Sequence, residues 1–259
     1  MAARRPPDRE VVPAVQRLRI RYAKRGPLRF SSHRDFQRAL ERALRRARVP
    51  MAYSAGFSPH PKVSYANAAP TGAASEAEYV EIAVVHVCDP EALRAELDDA
   101  LPPGLDILEV VEAGTPDLVG RLEASRWRIE VPGVDAAALG AAWDRVRSAE
   151  QLPVQRLMKS GLRTMDIRPA LVAGEVASAA GLGAALELTI ANVTPTVRPD
   201  EVLVALREVG GLAASAPVRA TRMAQGPLGP GGVVGDPLDP DRRVAAETAV
   251  AAGPAGPPI

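Results

Sequence analysis

Residues 52–72, AYSAGFSPHPKVSYANAAPTG, gather reactive and stacking side chains in a chain that has only three histidines, four tyrosines and three phenylalanines. His60 lies between Pro59 and Pro61, Lys62 follows two places on, and Tyr53, Phe57 and Tyr65 surround them. A residue that precedes proline is held extended, so Ser58-Pro59 and His60-Pro61 stiffen this loop, with Gly56 and Gly72 as its tight turns. Two chemistries suit such a loop. In the first, nearby guanidinium groups hold phosphates while Tyr53, Phe57 or Tyr65 stacks on a base, the division of labour used for single-stranded RNA. In the second, His33, beside Ser31 and Ser32, joins His60 and Lys62 as general base and acid for metal-independent RNA cleavage through the 2′-hydroxyl. Binding is the preferred reading, so no residue is assigned as catalytic. The plain alternative for each aromatic is that it fills the core beneath the loop.

A second basic segment, LMKSGLRTMDIRPAL, carries Lys159, Arg163 and Arg168, with Asp166 placed to fix an arginine bidentately and free the others for a phosphate. His86 and Cys88, in YVEIAVVHVC, read as structural residues of an apolar strand. One cysteine excludes an intrachain disulfide, a cysteine-based zinc site and an iron–sulfur cluster held by this chain alone. No HxH, HxxxH or HExxH spacing supplies a histidine metal site, and no phosphate-loop or nucleophile-elbow motif occurs. The expectation is therefore no metal and no cofactor.

These groups need elements to position them. RLRIRYA (17–23) alternates at period two, the pattern of a half-buried strand with Arg17, Arg19 and Arg21 on one face and Leu18, Ile20 and Tyr22 on the other. SHRDFQRALERALRRARVP opens with Ser32 as N-cap and Asp35 three places later, an acidic capping box, and stops at Pro50. Phe36, Ala39, Leu40, Ala43, Leu44 and Ala47 share one stripe of that helix, leaving Arg34, Arg38, Arg42, Arg45 and Arg46 on the opposite side. Up to Tyr65 the chain has sixteen Arg and Lys against four Asp and Glu, while the whole chain is only +1, so the remainder is acidic. Such a split points to a polyanion partner, RNA before membrane. The expected RNA surface is Arg17, Arg19, Arg21, Arg38, Arg42, Arg45 and Lys62, joined by Arg29, His33, Arg46, Tyr53, Phe57 and His60, with Lys159, Arg163 and Arg168 in the second half.

The periodicities predict β-α-β-β-α-β over residues 16–116 and again over 122–225. That is an α+β fold of two tandem ferredoxin-like units with antiparallel sheets, helices on one face and the other face left for partners. Residues 1–15 and the Gly/Pro/Ala-rich 226–259 have too little apolar bulk to order and are expected to be disordered. With 47% apolar residues, no apolar run long enough to span a membrane and no apolar core to its N-terminus, the chain reads as cytoplasmic.

Residues 29–82 also carry R-F-x-S-H-x-D, R-A-x-R-R-A, A-Y-S-x-G-F-S-P-H-P-K and E-Y, and the second half has K-S-G-x-x-x-x-D-I-R-P. In these motifs the chain resembles a bacterial domain-of-unknown-function family associated with B12-binding radical-SAM proteins, here in stand-alone form without a CxxxCxxC motif, over about residues 16–225. The matching positions are Arg29, Phe30, Ser32, His33, Asp35, Arg45, Arg46, Tyr53, Gly56, Phe57, His60, Lys62, Lys159, Asp166 and Arg168. The chain departs from the family pattern at ANAAPTG, where a more apolar run is usual. The resemblance implies a separate radical-SAM protein as partner and assigns no role to any residue. Together these features predict an RNA-binding adaptor that presents tRNA or rRNA to a modifying or processing enzyme. The alternatives are a metal-independent endoribonuclease similar to the CRISPR repeat-processing enzymes, and a protein-docking partner that takes no RNA.

Overall fold

The structure, a computed structural model, describes residues 11–158, 161–179, 183–214 and 216–252. It is an α+β protein with mostly antiparallel strands and five α-helices among the described residues. In chain order the elements are β1 (Gln16–Lys24), α1 (His33–Arg46), β2 (Val63–Ala66), β3 (Ala74–Val84), α2 (Pro90–Ala100) and β4 (Ile107–Glu112). There follow β5 (Ala124–Pro132), α3 (Ala136–Ser148), β6 (Pro153–Met158), β7 (Gly161–Asp166), β8 (Leu171–Ala179), β9 (Gly183–Ala191), α4 (Pro199–Glu208), β10 (Arg219–Gly226) and α5 (Asp239–Ala252). The chain divides into two compact units: one of residues up to Thr71, Glu78–Val119 and Leu238 onward, the other of Gly72–Ala77 and Gly120–Pro237.

In the first unit the strands lie in the order β4-β1-β3-β2. Strand alternation decides its layers. Leu18, Ile20 and Tyr22 of β1 are buried with Phe36, Leu40 and Leu44 of α1, Leu93 and Leu97 of α2, and Ile107 and Val110 of β4. Tyr22 stacks on Phe36 with centroids 4.0 Å apart. Each such aliphatic side chain contributes about 1.5–3 kcal/mol when fully buried, so this apolar face holds the unit together. α1 starts where the capping box requires: Asp35 N–H donates to Ser32 Oγ at 3.2 Å, and Ser32 N–H donates to the Asp35 carboxylate at 3.2 Å.

Two expectations are corrected in this unit. β3 ends at Val84, so His86 lies beyond the strand and is exposed, and half-buried Cys88 sits in the following loop, its N–H donating to Gln16 Oε1 at 2.9 Å. Val85 N–H donates to the Pro50 carbonyl at 2.8 Å, one residue past the bridge between Met51 and Val84. Burial, and then the charge of Glu96, pushes the Cys88 thiol up. The tail also differs from the disordered segment expected after Gly226. Residues 239–252 form α5, which packs on the sheet face that β1's arginines share. Asp241 is fully buried there, and Gly114 approaches α5 so closely that a β-carbon would meet Val244 at 2.8 Å. The local sequence is poor in apolar bulk. A long-range ion pair holds the helix instead, as described below.

The second unit has strand order β10-β5-β9-β8, and the first residues of β3 pair in parallel with β10, Ala74 with Thr221 and Ser75 with Arg222. Residues 161–179 divide at Ile167–Ala170 into β7 and the separate strand β8, and β6 and β7 form a two-stranded sheet of their own. The unit therefore has one hairpin more than predicted. On its second sheet face Gly232 lies against Ala173 and Thr189, accepting a hydrogen bond from buried Thr189 Oγ1 at 2.8 Å.

Candidate nucleic-acid interface

Arg34, Arg38, Arg42 and Arg45 are spaced four, four and three apart, which puts them within about 80° of one another around α1. They lie opposite the buried Phe36, Ala39, Leu40 and Ala43, and all four are exposed, as are Arg46 and Arg48 just beyond. No ion pair joins these six guanidinium groups to a carboxylate among the described residues; Arg46 reaches only the Ala100 carbonyl, at 3.5 Å. Like charges one turn apart on a helix repel and destabilise it by a few tenths of a kcal/mol per pair. Compensation within α1 comes from Glu41, three places after Arg38 and four before Arg45, and from Asp35. The Asp35 carboxyl is held below the ordinary 3.8 first by the Ser32 hydroxyl, then by the Ser32 backbone, with Arg38 and Arg34 adding to the effect.

The loop after α1 is closed by its own hydrogen bonds. Tyr53 bridges to Pro61, Ser54 N–H donates to the His60 carbonyl at 2.9 Å, and His60 N–H donates to Ser54 Oγ at 3.0 Å. Gly56 turns at φ 137°, a backbone that a side chain rarely adopts. Tyr53, Phe57, His60 and Lys62 are exposed. At the other end of α1, Phe30 is exposed with the Arg29 guanidinium 4.7 Å from its ring centre. Among sequence features only its place in a matched motif singles Phe30 out.

Tyr65 does not stay available for stacking. It meets Phe36 edge-on at 6.0 Å and His33 edge-on at 4.8 Å, and burial, then the charge of Glu41, pushes its hydroxyl up to about 12. His33 is exposed on the first turn of α1 and is joined to Gln37 at 3.1 Å. No hydrogen bond or ring contact joins it to His60. The register explains why: Tyr65, which His33 touches, lies opposite Val80, whereas Lys62 accepts from Ala83, about 10 Å further along β3. The register thus sets His33 apart from the loop end that carries His60 and Lys62.

β1 does not extend the α1 surface. Because Leu18, Ile20 and Tyr22 face α1, Arg17, Arg19 and Arg21 lie on the other side of the sheet. Arg19 is 3% exposed and fully engaged. Its Nη1 donates to both carboxylate oxygens of Asp241 at 2.7 and 2.6 Å, its Nε to Glu81 at 3.0 Å and its Nη2 to the Thr115 carbonyl at 2.7 Å. Thr115 adds its N–H and hydroxyl to the same carboxylate, at 3.0 and 2.6 Å. Arg17 is exposed and pairs with Glu81 at 3.0 Å. The predicted single surface thus separates into α1's stripe and a β1 face held by acids and by α5.

In the second basic segment Asp166 and Arg168 are engaged within the fold. Among the described residues Asp166 fixes no arginine; its Oδ1 accepts from the N–H groups of Leu152 and Arg168 at 2.8 and 2.9 Å. Arg168 spends its guanidinium on the carbonyls of Ala149, Leu171 and Arg147, at 3.2, 3.2 and 3.0 Å, and so caps the end of α3. Arg163 is exposed on β7 opposite Arg156, which pairs with Glu201 at 2.5 Å; Lys159 lies outside the described residues.

The family described as uncharacterized protein conserved in bacteria (DUF2344) matches residues 17–199. The chain belongs to this family. The match takes in α1, the loop over 53–61 and the Asp166–Arg168 cap, and it stops short of α5, so the buried partner of Arg19 lies outside the part this chain shares with DUF2344. No curated protein matches the chain. Among the described residues no helix is long and apolar enough to cross a membrane, and no group of three or more His, Cys, Asp or Glu is placed to hold a metal ion.

Proposed function

We propose that the protein binds RNA, of the tRNA or rRNA class, through α1 and the loop over 53–61, and presents it as an adaptor to a separate modifying or processing enzyme. The observation that carries this reading is the row of exposed arginines on α1 with no carboxylate partner among the described residues. A protein tolerates such self-repulsion where a polyanion relieves it. The 4-1-3-2 strand order of each unit supports reading both as ferredoxin-like, with the β6–β7 hairpin inserted in the second. A radical-SAM protein as the enzyme served rests on the motif resemblance, and a cytoplasmic setting follows from the RNA.

The test is binding of purified protein to cellular tRNA in EDTA across a salt series. Four phosphates held by the α1 stripe give a log-log salt slope of about −3, at roughly −0.7 per contact. RNA bound and left at full length supports the adaptor. RNA shortened in EDTA would replace it with the endoribonuclease, and no RNA bound at physiological salt would replace it with a protein-docking role.

A further inference from the structure

We infer that this surface takes an unpaired strand laid along α1, with a base stacked at each end, on Phe30 before the helix and on Tyr53 or Phe57 after it. This inference rests on the proposal that α1 binds RNA, and it names the form of RNA bound. Phe30 is 59% exposed, Tyr53 45% and Phe57 55%, whereas Tyr22, Phe36, Tyr79, Trp127 and Trp143 are buried and Tyr65 is half-buried. A chain this sparing with aromatics therefore leaves three rings in water, and all three flank one helix, which is also the one that carries the unpaired arginines.

Both ends hold the backbone that carries these rings. Phe30 closes the short 3-10 turn Gly26–Phe30, and the Arg29 guanidinium lies against its ring while Arg29 Nε is shielded without a hydrogen-bond partner. Tyr53 is pinned by its bridge to Pro61, and the turn that presents Phe57 is closed by the Ser54 and His60 hydrogen bonds. A loop ordered in advance loses less freedom when a base stacks on its rings. A duplex cannot use them, because its bases are already stacked inside and the A-form major groove is too narrow for side chains. α1 has fourteen residues. At 1.5 Å per residue it is about 21 Å long, and a stacked strand advancing about 3.4 Å per nucleotide runs that length in roughly six nucleotides.

The experiment measures fluorescence anisotropy of labelled, unstructured RNA oligonucleotides of three to twelve nucleotides and of a blunt RNA duplex, with wild type, Phe30→Ala, Tyr53→Ala and Phe57→Ala. Circular dichroism checks that these surface variants fold. Single strands are expected to bind at least 10-fold tighter than the duplex, with affinity rising to about six nucleotides and then levelling. Phe30→Ala and at least one of the loop variants should each lose about 5-fold or more, the low end for one base–aromatic stack, with the salt slope unchanged. Equal binding of the duplex, or aromatic variants that bind like wild type, would overturn the inference and leave RNA binding by α1 standing. Poly-glutamate displacing the oligonucleotide at equal charge concentration would also overturn it, since carboxylates offer no base to stack. Binding of neither RNA form would instead remove the proposal beneath it.

Discussion

Arg19 and Arg38 belong to the same basic stretch, yet they meet opposite surroundings. Arg19 is buried between Asp241, Glu81 and Thr115, every arm of its guanidinium answered by an oxygen. Arg38 is exposed in a line of arginines, with Asp35 and Glu41 as the acids within one turn of it and an ion pair to neither. A buried guanidinium must be paired, because leaving it alone after desolvation costs more than the pair returns. An exposed one is hydrated and can wait for a ligand. Burial and pairing, more than residue type, separate the arginines that hold this protein together from those available to a partner, and Arg168 belongs with Arg19 by the same test.

Asp241→Ala should have the strongest consequence. It leaves Arg19 short of its buried carboxylate and strips Thr115 N–H of its acceptor, so it should cost about 3 kcal/mol, the low end for breaking a buried pair. Urea denaturation, followed with hydrogen exchange at β1 and α5, reads this directly. A loss under about 1 kcal/mol, the usual ceiling for an exposed pair, would move Arg19 into the class of surface ion pairs. Arg168→Ala comes next: three carbonyls lose a charged donor, and about 2 kcal/mol should go, with RNA affinity unchanged. A drop in RNA binding without a drop in stability would return Arg168 to the binding surface.

The α1 stripe should show the reverse pattern. Arg38→Glu with Arg42→Glu is expected to reduce RNA affinity at least 10-fold and to flatten the salt slope by about 1.4, while stability holds or rises by a few tenths of a kcal/mol as repulsion between turns is relieved. Destabilisation comparable to that of Asp241→Ala would show that the stripe is structural after all. The smallest effect concerns how α1 begins. Ser32→Ala should cost about 1 kcal/mol. Because the Asp35 carboxyl is held below 3.8 in the folded protein, its contribution is present above pH 3.8 and is lost as pH falls through the lower folded value. Asp35→Asn should flatten the acid limb of stability there, and an unchanged limb would mean that the capping box does not control that end of the helix.

Local chemistry made much of this legible. The alternation of β1, the Ser32–Asp35 box and the separation of α1's apolar and arginine stripes are properties of residues within a few places of one another, and the structure follows them closely. The stiff loop is legible for the same reason, since proline and glycine act on their own backbone. The division at Ile167–Ala170 is not, because it depends on Asp166 reaching Leu152 and on Arg168 reaching α3, contacts between segments that local periodicity does not relate.

By itself the sequence determined which faces are apolar, where α1 begins and that basic charge collects in the first part of the chain, because side-chain period and capping need only neighbouring residues. Only the tertiary structure decided which basic groups are free to act. It turned β1's arginines away from α1, brought Asp241 to Arg19 across 222 residues of chain, folded Tyr65 against Phe36 and His33, and left Phe30, Tyr53 and Phe57 exposed at the two ends of the arginine helix. The physical reason is that pairing and desolvation depend on distance in space, which residues far apart in sequence acquire only when the chain has folded.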